Sequence, residues 1–332
     1  MRIQVHADDL GLSESINRAI FSAYDHGRLD STSLIINAPA LHTALVGLRQ
    51  RPGLSCGLHF NLIEGRPITA PDALPLLVNK QGQFRHSFPG LLWRSLFAPV
   101  RYRRNLMKQI EIELKAQLDC FFEKTGRPAM TVDGHQHTHA IPVVHAILRR
   151  LNRNGMIRTC RGLREGGSTD LLSTLRPAAL VNRMKSLLLA RLERGNYKRG
   201  LESQLPVRNQ WLIGVLHSGT MSLHAVEYSL SRLTARAALH DTVELLFHPA
   251  YPAHPAHRSK SAQQTGTSES DNSSESSYNN DAPKTDADRS NKQAIGRRFY
   301  FDFTYRAARE REYRLLISGE WQKLKAQFPS LS

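Results

Sequence analysis

The sequence predicts an α/β protein built as a variant (β/α) barrel, irregular or incomplete, with mostly parallel strands and outer helices. Three observations lead there. Strand-like and helix-like segments alternate along the chain. Three short polar segments, far apart in sequence, each fall where an apolar run gives way, and strand ends in α/β proteins are where functional groups gather. The length, 332 residues with 40% hydrophobic, is enough for one large core.

Ile3–Ala7 reads as a buried strand, and Ser13 then caps an amphipathic helix running to His26, with Gly27 placed to end it. Ser33–Ile36 is a second short strand, followed by a helix over 40–50 that Pro52-Gly53 stops. Leu54–Phe60 is the third strand. Pro67, Pro71, Pro75, Pro89 and Pro99 mark the next forty residues as an irregular excursion with short helical pieces. Ile110, Leu114, Leu118 and Phe121 share one face of a helix over Leu106–Lys124, which Gly126 follows. Met130–Asp133 is a strand leading into a His-rich segment. Pro142 opens a helix to Arg153, and Ile157–Cys160 is another strand. A basic helical region spans Asp170–Arg194, with Pro177 interrupting it. Trp211–His217, a helix over Ser222–Ala235, and Val243–His248 complete a core assigned to residues 1–258. Residues 259–292 hold nine Ser with many Asn, Asp and Gln and almost nothing apolar, the composition of a disordered insertion. Residues 293–332 are expected to dock back on the core.

The formal net charge is +16, concentrated in Arg149–Arg208, where fourteen Lys/Arg face four Asp/Glu. That pattern suits a solvated helical face, or peripheral contact with an anionic membrane. No nucleic-acid partner is expected, because no helix-turn-helix, zinc finger or stacking motif accompanies the charge. Cys56, Cys120 and Cys160 are odd in number and scattered, as reduced thiols are. The chain starts directly on a strand and holds no uninterrupted apolar stretch of bilayer-spanning length, so the expected compartment is the cytoplasm. A homodimer is compatible with the sequence but not specified by it.

The chemistry sits in the polar segments. Asp8-Asp9 ends the first strand, and two carboxylates so close need a cation or hydrogen-bond donors between them. A metal on one and a general-base role for the other meets that need; the plainer alternative is that Asp9 or Ser13 merely caps the next helix. His59 ends the third strand. There Gly57 permits close approach and Asn61 offers an outer hydrogen bond, whereas Cys56 faces away. In His135-Gln136-His137-Thr138-His139, read as extended, alternate side chains share a face. One ligand is expected there, His135, with His137 or His139 lining the pocket. Asp133 is suited to orient an imidazole or a substrate hydroxyl. His248 follows the last strand and is placed to protonate a leaving group, with His217 in a supporting place. The chain has no GxSxG elbow, phosphate-binding GxxxxGK loop or HExxH helix, so serine hydrolase, P-loop and zincin readings lose support.

Taken together and in this order, His6-Ala7-Asp8-Asp9-Leu10-Gly11-Leu12-Ser13, the run Gly57–Pro67, Asp133–Pro142 and Phe247-His248-Pro249-Ala250 resemble the YdjC-like carbohydrate deacetylases. That family contains chitooligosaccharide deacetylase and the hopanoid-biosynthesis-associated deacetylases. Asn79–Arg85, Arg101–Arg104 and Leu216–Met221 suggest the hopanoid-associated branch. Leu10 stands where Phe is common, and the Ser-rich insertion is unlike the compact family tail. The resemblance implies a (β/α) barrel variant and a divalent metal held by Asp9, His59 and His135; magnesium or zinc is expected, and mixed Asp/His ligation also suits manganese, cobalt or iron. It also implies Asp8 as general base and His248 at the late histidine. The reaction implied is removal of the N-acetyl group from an N-acetylglucosaminyl-type carbohydrate or glycolipid, with release of acetate. Two rivals carry different expectations: hydrolysis of another amide or of a glycosidic bond, and a non-catalytic basic protein binding anionic lipid or nucleic acid.

Overall fold

The computed structural model describes residues 1–128, 130–168, 177–199, 204–252 and 302–328. The expected insertion at 259–292 lies outside them. Contacts divide the chain into a main unit, Met1–Tyr251 with Ala308–Ser332, and a second, Pro252–Ala307, described only at Pro252 and at 302–307, where a helix begins.

Among the described residues, seven strands of the main unit form one parallel sheet: β1 (Arg2–Leu10), β2 (Ser31–Leu34), β3 (Ser55–Phe60), β4 (Thr131–Gly134), β5 (Thr159–Cys160), β6 (Trp211–Ile213) and β7 (Thr242–Phe247). Their order is β5-β4-β3-β2-β1-β7-β6. Parallel neighbours require crossovers, and helices supply them. These are α1 (Glu14–Asp25), α2 (Leu41–Arg49), α3 (Phe88–Phe97), α4 (Val100–Thr125), α5 (Pro142–Arg153), α6 (Pro177–Lys198) and α7 (Leu223–Thr234). The last two helices are α8 (Asp302–Ile317) and α9 (Gly319–Gln327). The sheet curls until its edges meet through isolated parallel bridges, Cys160 with Val207 and Glu165 with Leu212. The result is an incomplete (β/α) barrel, as the alternation of elements predicts. Among the described residues no helix is long and apolar enough to cross a membrane.

The first strand of this curled sheet buries two unlike faces. Along β1 the odd positions Ile3, Val5 and Ala7 join the main apolar core with Ile16 and Ile20 of α1. The even positions His6 and Asp8 are equally buried but polar. Strand register sets His6 beside Ser31, and His59 beside Asp133, so the polar positions share one interior. Helix ends follow the sequence signals at several points. The Ser13 hydroxyl accepts from the Ile16 N–H, and Gly126 ends α4 in the left-handed region.

Several boundaries differ from expectation. The second strand is Ser31–Leu34, four residues that end before the turn at Ile35–Ala38. β5 is only two residues and β6 three, because bridges to single residues replace longer pairing. α4 starts at Val100, and α3 occupies part of the proline-rich excursion, with Pro89 in its first turn, where a missing N–H costs nothing. Pro177 likewise opens α6 instead of interrupting a helix; residues 170–176 lie outside those described. His135–Ala140 is not extended: it is a tight 3-10 segment in which Gln136 and His137 have φ of 52° and 60°.

Candidate metal centre and catalytic site

The site stands at the carboxyl ends of β1, β3 and β4. Neighbours on a strand point to opposite faces, so Asp8 and Asp9 should diverge. They do not, because Asp9 has φ +72°, a left-handed conformation that Asp tolerates better than most residues. The break in alternation brings both carboxylates into one region. At β3, a Cβ on residue 57 would lie 2.7 Å from the Thr131 hydroxyl and 2.8 Å from its carbonyl oxygen. Gly57 is therefore what lets β3 approach β4 and sets His59 against Asp133.

Asp9, His59 and His135 are all buried, and one ligand atom from each lies within 4.8 Å of the others. Asp9 Oδ1 is 2.9 Å from His135 Nδ1 and 3.4 Å from His59 Nε2. The other His59 nitrogen, Nδ1, lies 2.5 Å from Asp133 Oδ1 and 3.2 Å from the Ser33 hydroxyl, which fixes the ring and leaves Nε2 facing Asp9. His135 Nε2 is buried without a hydrogen-bond partner and stands 3.4 Å from Glu64 Oε1. Burial disfavours charge on both imidazoles, yet the carboxylates around them prevail. His59 is raised to about 10 by Asp8 and Asp133, and His135 to about 9 by Asp9 and Glu64. A cluster whose carboxylates call this strongly for positive charge, with an imidazole nitrogen left over, fits a divalent cation with one carboxylate and two imidazole ligands.

Asp8 belongs to a second network inside the barrel. Arg161 donates to both its oxygens, at 2.7 and 2.5 Å, and Ser33 donates to Oδ1 at 3.2 Å. The same guanidinium reaches Glu244 at 2.7 Å and Asp133 at 2.9 Å. Arg208 adds bonds to Asp133 at 2.6 Å and Glu244 at 2.7 Å. Burial opposes ionisation of Asp8, but Arg161 and His59 hold its carboxyl well below the usual range. His6, Asp8 and Asp133 also lie within 4.8 Å of one another. Guanidinium groups already supply the positive charge there, so that group does not fit a metal.

His248, the expected proton donor, places Nε2 3.9 Å from Asp8 Oδ2. Enclosure lowers it to about 4, against the pull of Asp8 and Asp9, so its ring is uncharged at neutral pH. The C-terminal helix supports both halves of the site. Arg309 of α8 donates to Asp9 Oδ2 at 2.6 Å, and the carboxylate of Glu312, one turn on, accepts from the His248 N–H at 2.5 Å.

The structure thus gathers Asp8, Asp9, His59, His135 and His248 at one mouth. His137, His139 and His217 are not among the three side chains of that group. His137 Nδ1 and both ring nitrogens of His139 are buried without hydrogen-bond partners, and burial lowers both rings, His139 to about 3. His217 Nε2 lies 3.1 Å from the Ser229 hydroxyl of α7. Sequence reasoning missed Arg161, Arg208, Glu244, Arg309 and Glu312. Only Glu244 carried a signal: an acid inside an otherwise apolar strand.

A family model described as YdjC-like protein matches residues 2–327. The chitooligosaccharide deacetylase of Serratia marcescens is 32% identical over 209 residues, 60% of this chain and 77% of that protein. The carbohydrate deacetylase of Homo sapiens is 33% identical over 265 residues, 76% of each chain. A solved structure, a candidate cellobiose-phosphate cleavage protein of Enterococcus faecalis V583, superposes with a TM-score of 0.60 at 17% identity, covering 98% of this chain and 94% of that one, a likeness of fold. On the span of the family match and the identity to these relatives, this chain belongs to the YdjC-like family.

Proposed function

We propose that the protein is a metal-dependent carbohydrate N-deacetylase, hydrolysing the acetamido group of an N-acetylglucosaminyl-type carbohydrate or glycolipid to acetate and a free amine. The observation that carries this is the Asp9–His59–His135 cluster beside an ionised Asp8, in a chain whose relatives are carbohydrate deacetylases. Asp9, His59 and His135 would hold the divalent ion, magnesium or zinc, which when bound polarises the amide carbonyl and acidifies water.

The chain's own groups supply the proton transfers. Asp8 is ionised at working pH and has no proton to give, so it accepts one from the attacking water. Arg161 makes it a weak base but holds both oxygens in place. His248 is uncharged at rest, so the proton it gives to the departing amine must be gained during the reaction. Asp8 Oδ2, at 3.9 Å, is its nearest carboxylate source. Glu312 holds the His248 backbone in position for that exchange.

The test is acetate release from N-acetylglucosaminyl substrates, lipid-linked ones included, with added divalent metal or chelator. Asp8→Asn is expected to lose on the order of 10²–10⁴ in turnover while binding metal normally. His135→Ala is expected to lose the metal. Turnover by Asp8→Asn at the wild-type rate would remove Asp8 from the chemistry, and chelator-resistant acetate release would remove the metal.

A further inference from the structure

α6 is amphipathic in the wrong direction for a helix of a soluble core. Leu180, Val181, Met184, Leu187 and Leu188 are 57%, 64%, 65%, 63% and 41% exposed. Their spacing of i, i+1, i+4, i+7 and i+8 places them on one stripe, roughly a third of the helix circumference. The opposite face is held by polar grips. Asn182 donates to the carbonyls of Leu216 and Ser218, and Asn196 donates to that of Ala140. Leu189 is the buried apolar side chain on that inner side. Aliphatic side chains concentrated on the outer face of a helix mark a surface that is covered in use.

The charge on α6 identifies the cover. Toward its C-terminal end the outer surface becomes Arg191, Arg194, Lys198 and Arg199, all exposed, and exposed Arg183 flanks the apolar stripe. The single acid of α6, Glu193, accepts from the Leu163 N–H and adds no charge outward. A second helix repeats the pattern: Trp93 and Phe97 of α3 are 63% and 64% exposed with ring centroids 4.3 Å apart, and exposed Arg101 and Arg104 follow them. Both α3 and α6 pack against the 135–140 segment that carries His135.

We infer that the outer face of α6, with the aromatic pair of α3, seats the enzyme on an anionic lipid bilayer beside the mouth of its site. Apolar side chains enter the acyl boundary, aromatic rings sit at headgroup level, and guanidinium groups meet lipid phosphates. A second copy of this chain is a poorer occupant, because it would bring the same cationic face and a net charge of +16.

The test is co-sedimentation of the full chain with phosphatidylcholine vesicles with and without 30 mol% phosphatidylglycerol, at low and high salt. Retention is expected on the anionic vesicles, weakening with salt. Met184→Asp/Leu187→Asp is expected to lower the vesicle partition coefficient at least about tenfold, the equivalent of losing burial of about two methylene groups. The variant should keep the wild-type unfolding midpoint and its acetate release from a soluble substrate. No retention of wild type at low salt, or equal retention of the variant, overturns the inference. So does a wild-type dimer that the substitutions convert to monomer. Vesicle binding is read without reference to acetate, so failure here and failure of the proposed chemistry are separate results.

Discussion

Arg161→Lys keeps the charge at the centre of the barrel and removes the fork. The wild-type guanidinium serves Asp8 on β1, Asp133 on β4 and Glu244 on β7 at 2.5–2.9 Å, and it is fully buried. A single ammonium cannot span three carboxylates on three strands. If two of the four charge-assisted bonds are lost, at about 1.5–3 kcal/mol each, the cost is about 3–6 kcal/mol. That is a large part of the ~5–15 kcal/mol that holds a typical domain together. The pH dependence follows from the direction of the shifts. Asp8 and Asp133 are held well below 3.8, and Glu244 is lowered from 4.5 to about 2. Depressed carboxylates contribute stability that is complete above their unfolded values and disappears as pH falls through the folded ones. Wild type should therefore lose this contribution between about pH 4.5 and pH 2, and the variant should lose what remains of it at higher pH. Urea unfolding followed by circular dichroism at pH 7, 5, 4, 3 and 2 measures both effects. A difference below about 1 kcal/mol at pH 7, with the same acid midpoint, would refute the reasoning.

Two further substitutions probe the supports of the site. Glu312 is pushed up by burial to about 7 from 4.5, so it opposes stability as pH rises through that interval; Glu312→Gln keeps an acceptor for His248 and should stabilise the protein above pH 7, with little change below pH 4.5. Equal urea midpoints for variant and wild type at pH 8 would contradict this. Gly57→Ala puts a methyl group against the β4 backbone and should cost on the order of 1–3 kcal/mol, with weaker metal binding as His59 shifts from Asp133. An unchanged melting temperature and an unchanged calorimetric metal titration would show that β4 moves aside freely.

The grouping of Asp9, His59 and His135 was legible because each ends or directly follows an apolar run, where side chains of neighbouring strands converge. The carboxylate pair at Asp8-Asp9 announced the need for compensating charge, but not its source. Arg161 and Arg208 lie in the most basic stretch of the chain, where a solvated face is the natural reading. Arg161 is buried in the barrel and the Arg208 side chain is nearly so, and no local pattern separates them from their exposed neighbours. Arg309 sits three hundred residues from Asp9, in a helix where it is one of several arginines and nothing local distinguishes it. The extended reading of His135–His139 failed for a different reason. Two non-glycine residues with positive φ are imposed by the surrounding structure, and Gly134, beside which Thr138 and His139 fold back closely, was the one available hint.

The interior network has a consequence for how such chains can diverge. Asp8, Asp133 and Glu244 meet Arg161 and Arg208 from five places in the sequence, three carboxylates against two guanidinium groups, with the His59 imidazole beside Asp133 adding to the positive side. A lineage that neutralised one of them would strand a charge, which is the costly half of a buried pair. The five positions should therefore be inherited as a block, and they should covary across relatives as a single unit. The outward positions of the same strands, Ile3, Val5, Val243 and Leu245, belong to the apolar core and can drift one at a time.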